Sequence, residues 1–271
     1  PFVFKHNGKY YLTFQWVREK DGTEALVYCM SDNPLGPFEY KGVIMDEHES
    51  GCWTNHHSIV QYEGQWYLFY HHNDYSPKFD KNRSARIDSL FFNPDGTIQK
   101  VIPTHRGVGI TKANSQIQID RYSTIHKASI AYMDEANPFE GWKTVFNKGG
   151  ASVQYNRVDF GKEPVQEVKI RVKSATGGTL QVKTGGKKGN AMATIKVPRC
   201  KDWTVVNAPV KNAPTGIQDL YVTLKSGSME VDWMGFDGTP WTAGAFETKE
   251  YRNLFAEYGY KQADIDAKLK D

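Results

Sequence analysis

The stretch that decides the fold is His6-Asn7-Gly8-Lys9-Tyr10-Tyr11-Leu12-Thr13-Phe14, which returns as Tyr62-Glu63-Gly64-Gln65-Trp66-Tyr67-Leu68-Phe69-Tyr70, with Gly8 and Gly64 at an offset of 56 residues. In each copy a polar residue and a glycine separate two apolar runs, Phe2 to Lys5 and Tyr10 to Gln15, then Ser58 to Tyr62 and Trp66 to Tyr70. This is the pattern of a tight β-hairpin. A further extended run follows each hairpin, Glu24 to Ser31 and Ser84 to Phe92, and then a turn, Asn33-Pro34-Leu35-Gly36 and Asn93-Pro94-Asp95-Gly96. Repeated units of about four strands and roughly 40 to 56 residues describe β-propeller blades. Two blades do not close a ring of about four to eight. The remaining blades are therefore expected upstream of Pro1.

Outward from the repeat, the pattern changes near Asn114. Short alternating runs follow, among them Val165 to Val172, Thr179 to Thr184, Ala191 to Val197, Asp219 to Leu224 and Met229 to Met234, broken by Gly, Pro and Asn turns. They predict an antiparallel β-sandwich with its own core. Asp237-Gly238-Thr239-Pro240 reads as a linker. Beyond it Tyr251, Leu254, Phe255 and Tyr258 recur at helical spacing, predicting a short α-helical tail. The expected fold is all-β: a partial propeller over 1–113, a sandwich over 114–237, and a linker with the start of a helical region over 238–271.

Composition narrows the function. The 271 residues hold 34 Lys and Arg against 31 Asp and Glu, too even a balance for steering onto nucleic acid or anionic lipid. No window reaches the roughly 18 consecutive apolar residues of a membrane helix. The expected partner is neutral, neither nucleic acid nor membrane. Aromatics at 13% supply flat faces suited to stacking on sugars. Cys29, Cys52 and Cys200 are too scattered for a disulfide framework or a paired-cysteine metal knuckle.

Four places carry candidate chemistry. Thr54-Asn55-His56-His57-Ser58 precedes an inner strand, so one imidazole can face the channel while the other serves the turn. Arg83 and Arg86 fall on opposite faces of the strand they open, one toward the channel and one toward solvent. Asp46-Glu47-His48-Glu49 reads as a solvated acidic loop, and no carboxylate pair with the separation that glycoside hydrolysis requires is legible. Trp203 follows Pro198-Arg199-Cys200-Lys201-Asp202, a loop setting that exposes an indole, whereas Trp233 sits in a strand as core and Tyr155 alternates with Val153 as core or edge.

Three stretches resemble known families. Gly8 to Leu12, Asn55 to Val60, Trp66 to His71 and Asn82 to Asp88 resemble the C-terminal part of glycoside hydrolase family 43, five-bladed propellers that include inverting xylosidases and arabinofuranosidases. The resemblance implies that His56 is the central-channel histidine associated with calcium or its waters and that Arg83 reaches the substrate. It also implies that the catalytic carboxylates lie upstream of Pro1, leaving this chain inactive alone. Ile117 to Tyr122, Val158 to Gly161, Val168 to Val172, Trp203 and Val231 to Trp233 resemble a family 6 carbohydrate-binding module. That resemblance makes Trp203 the sugar-stacking residue and Gln118, Asp120 and Asp232 oxygen ligands of a structural calcium. Ser152 and Glu230 stand where the family carries an aromatic and an Asn. Lys249 to Tyr260 is similar to the opening helix of family 8 glycoside hydrolases. Together these imply a piece of a secreted, periplasmic or cell-surface modular enzyme degrading xylan or arabinoxylan. The alternative is a non-catalytic carbohydrate-binding protein.

Overall fold

The computed structural model describes residues 1–17, 24–46, 56–73, 83–137, 140–186, 188–189 and 191–238. The expected helices over 249–271 and residues Glu47, His48 and Glu49 of the expected acidic loop lie outside them. Among the described residues no helix is long and apolar enough to cross a membrane.

The first sheet is a four-stranded antiparallel meander of β1 (Phe2–His6), β2 (Lys9–Val17), β3 (Glu24–Ser31) and β4 (Glu39–Met45), in that order. The second, β5 (Ser58–Tyr62), β6 (Gln65–His72) and β7 (Ser84–Leu90), repeats its first three strands, and Phe92 bridges Ile98 beyond them. Both hairpins close identically. His6 pairs with Lys9 around Asn7 (φ 46) and Gly8 (φ 81), and Tyr62 pairs with Gln65 around Glu63 (φ 47) and Gly64 (φ 81). Two successive left-handed residues make the turn whose twist matches that of paired strands, which is why glycine stands second in each.

The two sheets share one core in which Tyr11, Leu26, Ile44, Leu68, Tyr70 and Leu90 are buried. Their packing follows the period of two: Ile59 and Leu68 pair on the inward face of the second sheet, and Val60 and Tyr67 on the other. That other face is uncovered, leaving Val60 43%, Tyr62 64% and Phe69 42% exposed.

The sandwich has two six-stranded sheets. One runs β10 (Thr124–His126), β13 (Ser152–Asp159), β18 (Ile217–Gly227), β15 (Gly178–Thr184) and β16 (Ala191–Val197), with β8 (Thr111–Lys112) added parallel to β13. The other runs β11 (Ser129–Tyr132), β12 (Trp142–Phe146), β19 (Met229–Phe236), β14 (Glu167–Ser174) and β17 (Cys200–Pro209), with β9 (Ile117–Gln118) against β19. Alternating residues of both sheets, such as Phe146, Val153, Ile170, Leu180, Leu220 and Val231, fill the space between them. Trp233 is buried at 2% exposure, while its neighbours Val231, Met234 and Phe236 are β19 residues that belong to this interior.

The two halves meet without a spacer. Val101 N–H donates to Ile44 O and Thr104 N–H to Asp88 Oδ2, whereas Arg106 N–H donates to Tyr122 O. Attachment thus passes from the blade-like sheets to the sandwich between Thr104 and His105, and the expected boundary at 113/114 falls after a strand, β8, that already belongs to the sandwich.

Candidate functional site

The histidine pair divides its labour. His57 reaches back to the first sheet, with Nε2 2.6 Å from Thr13 Oγ1 and Nδ1 3.2 Å from Gln15 Nε2. Because the Thr13 hydroxyl already donates to Phe2 O at 3.0 Å, it accepts from His57 Nε2–H, and His57 Nδ1 accepts from the Gln15 amide. The neutral ring is therefore the fitting form. Burial, with a smaller contribution from His56, pushes its pKa down to about 4.

His56 is exposed. Its backbone N–H donates to His71 Nε2 at 3.0 Å, and the two rings lie 5.8 Å apart. His71 is buried in β6, and burial, then the charge of Arg83, pushes its pKa down to about 4. Arg83, His71 and His56 thus cluster at one end of the second sheet, so the structure brings together the two residues expected to face the pocket. Arg86 goes the other way: it is buried, and Nη1 donates to Thr104 O at 3.4 Å. Its companion Asp88 accepts Tyr70 Oη–H at 2.5 Å and both the N–H and hydroxyl of Thr104. Burial raises the Asp88 carboxyl above its usual range.

In the sandwich, Trp203 is not in a loop. It is the fourth residue of β17, next to Thr204, which pairs with Val172, and it is half-buried. The exposed loop setting expected from Pro198 to Asp202 is corrected by the strand's extending back to Cys200. The Arg171 guanidinium lies 5.2 Å from the indole centroid, and its Nη1 donates to Asp232 Oδ2 at 2.5 Å. One aromatic face is therefore in a cation–π contact. Arg171 is the functional neighbour that sequence reading missed; the signal was present in its place between Ile170 and Val172, alternating to the outer face of β14. Ser152 is buried, and Glu230 is held by Lys143 at 3.2 Å, so neither supplies what the family's aromatic and Asn would.

The proposed calcium ligands lie on neighbouring strands and the turn beside them. Gln118 pairs with Trp233, next to Asp232, and Asp120 follows β9. Asp120 is 3% exposed; burial, with a smaller repulsion from Asp232, pushes its carboxyl up to about 7. Among the described residues no cluster of three His, Cys, Asp or Glu forms a metal site. Two adjacent carboxylates and a side-chain amide nevertheless fit the donor chemistry of a hard divalent cation, with Arg171 already engaging one oxygen of Asp232. His56 stands apart from this corner, on the other half of the chain.

Two stretches of the chain match known families. Residues 1–98 match glycosyl hydrolases family 43. Residues 122–238 match the carbohydrate binding module (family 6). His56 and Arg83 lie within the stretch that matches family 43, and Arg171, Trp203 and Asp232 within the stretch that matches the family 6 module. An arabinoxylan arabinofuranohydrolase of Paenibacillus polymyxa is 25% identical over 271 aligned positions, covering 91% of this chain and 42% of its own length. A beta-xylosidase of Xylanibacter ruminicola is 41% identical over 102 residues, covering 37% of this chain and 30% of its own. The chain spans less than half the length of these relatives. The crystal structure of a family 43 arabinoxylan arabinofuranohydrolase from Bacillus subtilis, in complex with cellotetraose, matches with a TM-score of 0.51 at 23% identity, over 87% of this chain and 53% of that one. That likeness supports the propeller-plus-sandwich fold.

Proposed function

We propose that this chain is part of a modular, exported glycoside hydrolase of the family 43 type, inverting, acting on xylan or arabinoxylan as a β-xylosidase or α-L-arabinofuranosidase. The observation that carries it is collinearity: the arabinofuranohydrolase relative aligns across 91% of the chain, through both the family 43 and family 6 portions in one order. The uncovered face around Val60 and Phe69 supports further blades completing the ring.

In this reading a protonated carboxylic acid donates to the glycosidic oxygen while a carboxylate activates water across the sugar ring, both supplied from outside residues 1–271. The chain's own groups bind and orient. Arg83 offers donors to sugar hydroxyls, and His56 lines the channel with its backbone held by His71. His57 fixes that segment on the first sheet. In the sandwich Trp203 provides an aromatic surface on the side that Arg171 leaves open. Gln118, Asp120 and Asp232 would hold a calcium ion, which neutralises their charge and ties β9 to β19. The opening of a family 8-like domain over 249–271 completes the proposed architecture.

The test compares two proteins. The 271-residue chain should not release nitrophenol from aryl xyloside or arabinoside above a buffer blank, whereas the same residues joined to upstream blades should. Turnover by the 271 residues alone would refute the placement of the carboxylates. Inactivity of the extended protein toward all pentosides would refute the substrate class.

A further inference from the structure

A binding module joined to a catalytic domain ordinarily moves on its linker, because interfaces within one chain are small and relative motion is the default. Here Thr104 is fixed to the blade-like half: its N–H and hydroxyl donate to Asp88 Oδ2 at 3.0 Å and Oδ1 at 2.7 Å. Two residues on, Arg106 is fixed to the sandwich. Its N–H donates to Tyr122 O at 2.9 Å and its guanidinium Nε to Asn156 O at 3.0 Å, while Nη1 and Nη2 brace its own loop by donating to Val108 O and Gly109 O, each at 3.0 Å. The guanidinium plane also lies over the Tyr155 ring, 4.7 Å from its centroid.

The residues around this pair add contacts to both halves. His105 stacks on Tyr122 with centroids 4.4 Å apart. Gly107 N–H donates back to Thr104 Oγ1 at 2.8 Å, closing a turn. Gly107 has φ +68, and a Cβ there would stand 3.2 Å from Ile87 O, so the chain presses on β7 again immediately after leaving it. Anchors to the two halves therefore alternate over four consecutive residues.

We infer that Thr104–Gly107 is an orientation lock that holds the sandwich and the blade-like sheets as one rigid body, with Arg106 as its principal positioning residue. Guanidinium suits the task because its planar fork makes several directed bonds at once while its face stacks on an aromatic ring, which lysine cannot reproduce. The sandwich then presents any glycan-binding surface at one preset angle to the propeller. This inference does not depend on which glycan is bound or cleaved.

The test measures backbone amide relaxation by NMR on the full 271-residue chain, comparing strands of the first two sheets with strands of the sandwich. The wild type should show one shared rotational correlation time. Arg106→Met should split it into two and should speed proteolytic cleavage between Val101 and Thr111 by about tenfold, as local opening becomes easier. Arg106→Lys should fall between. Separate correlation times in the wild type would overturn the lock, and an Arg106→Met chain that tumbles and resists protease like wild type would overturn the role of Arg106. If Arg106→Met does not fold, Arg106→Lys, which keeps the charge but not the planar fork, is read by the same two measurements, and wild-type behaviour of that variant overturns the role of Arg106.

Discussion

The hydroxyl of Thr13 accepts from His57 Nε2–H across 2.6 Å, joining the second strand of one sheet to the entrance of the next. Because Gln15 donates to the opposite ring nitrogen, a second ring proton would meet a donor in place of an acceptor.

The sign of the pH dependence follows. His57 has a folded-state pKa of about 4, below the 6.5 of an unrestrained imidazole, so its contribution to stability is complete above pH 6.5 and is lost as pH falls through about 4. Titration of the His57 ring by NMR should have its midpoint near 4, and the melting temperature should decline across that window. A midpoint at the ordinary value would show that the ring is not held neutral between the sheets.

Removal of divalent cations should destabilise the sandwich. Ionised Asp120 is costly in a buried setting beside Asp232, and a bound calcium offsets that cost. Addition of EDTA should lower the melting temperature by several degrees. Asp120→Asn should melt higher than wild type without metal and should no longer respond to calcium. A wild-type melting curve indifferent to EDTA and calcium would count against the ligand set.

Trp203→Ala should weaken binding of xylo-oligosaccharides by on the order of 1 kcal/mol in titration calorimetry, the scale of an aromatic stacking contact. Arg171→Met should leave the indole in place while freeing the face that the guanidinium now covers, so its affinity should not fall in parallel. Equal losses in both variants would mean that the strand, not the indole, is what the first substitution disturbs.

Gly8→Ala and Gly64→Ala should each cost about 1 kcal/mol in urea unfolding, the usual penalty for a side chain at positive φ. No neighbouring atom lies within 4 Å of a Cβ at either position, so the cost is backbone strain without collision. A much larger loss at either would show that these turns carry contacts beyond their own hairpins.

The hairpins were legible because the turn chemistry is local: Asn7-Gly8 and Glu63-Gly64 announce their own φ angles. Likewise the buried alternation of Val168, Ile170 and Val172 predicts β14, which ends at Ser174. The strand Trp142–Phe146 was missed although Thr144 and Phe146 alternate inward, because it is short and lies between turns. Contacts between distant residues were not legible at all. Nothing in the spacing of Arg171 and Asp232, or of Arg106 and Asn156, indicates that they meet, since sheet order and a β-bulge between Tyr155 and Val158 bring them together. His56 and Arg83 were named through resemblance, and only the folded chain shows them flanking His71.

The direct passage from Thr104 to Arg106 bears on anyone wishing to transplant the sandwich onto a different protein. A graft begun at residue 114 would discard β8 and strip the margin of β13, while one begun at 104 would carry its own clasp but lose the aspartate to which the donor protein fastened it. A recipient must therefore supply a carboxylate in the place of Asp88, or accept a passenger that swings.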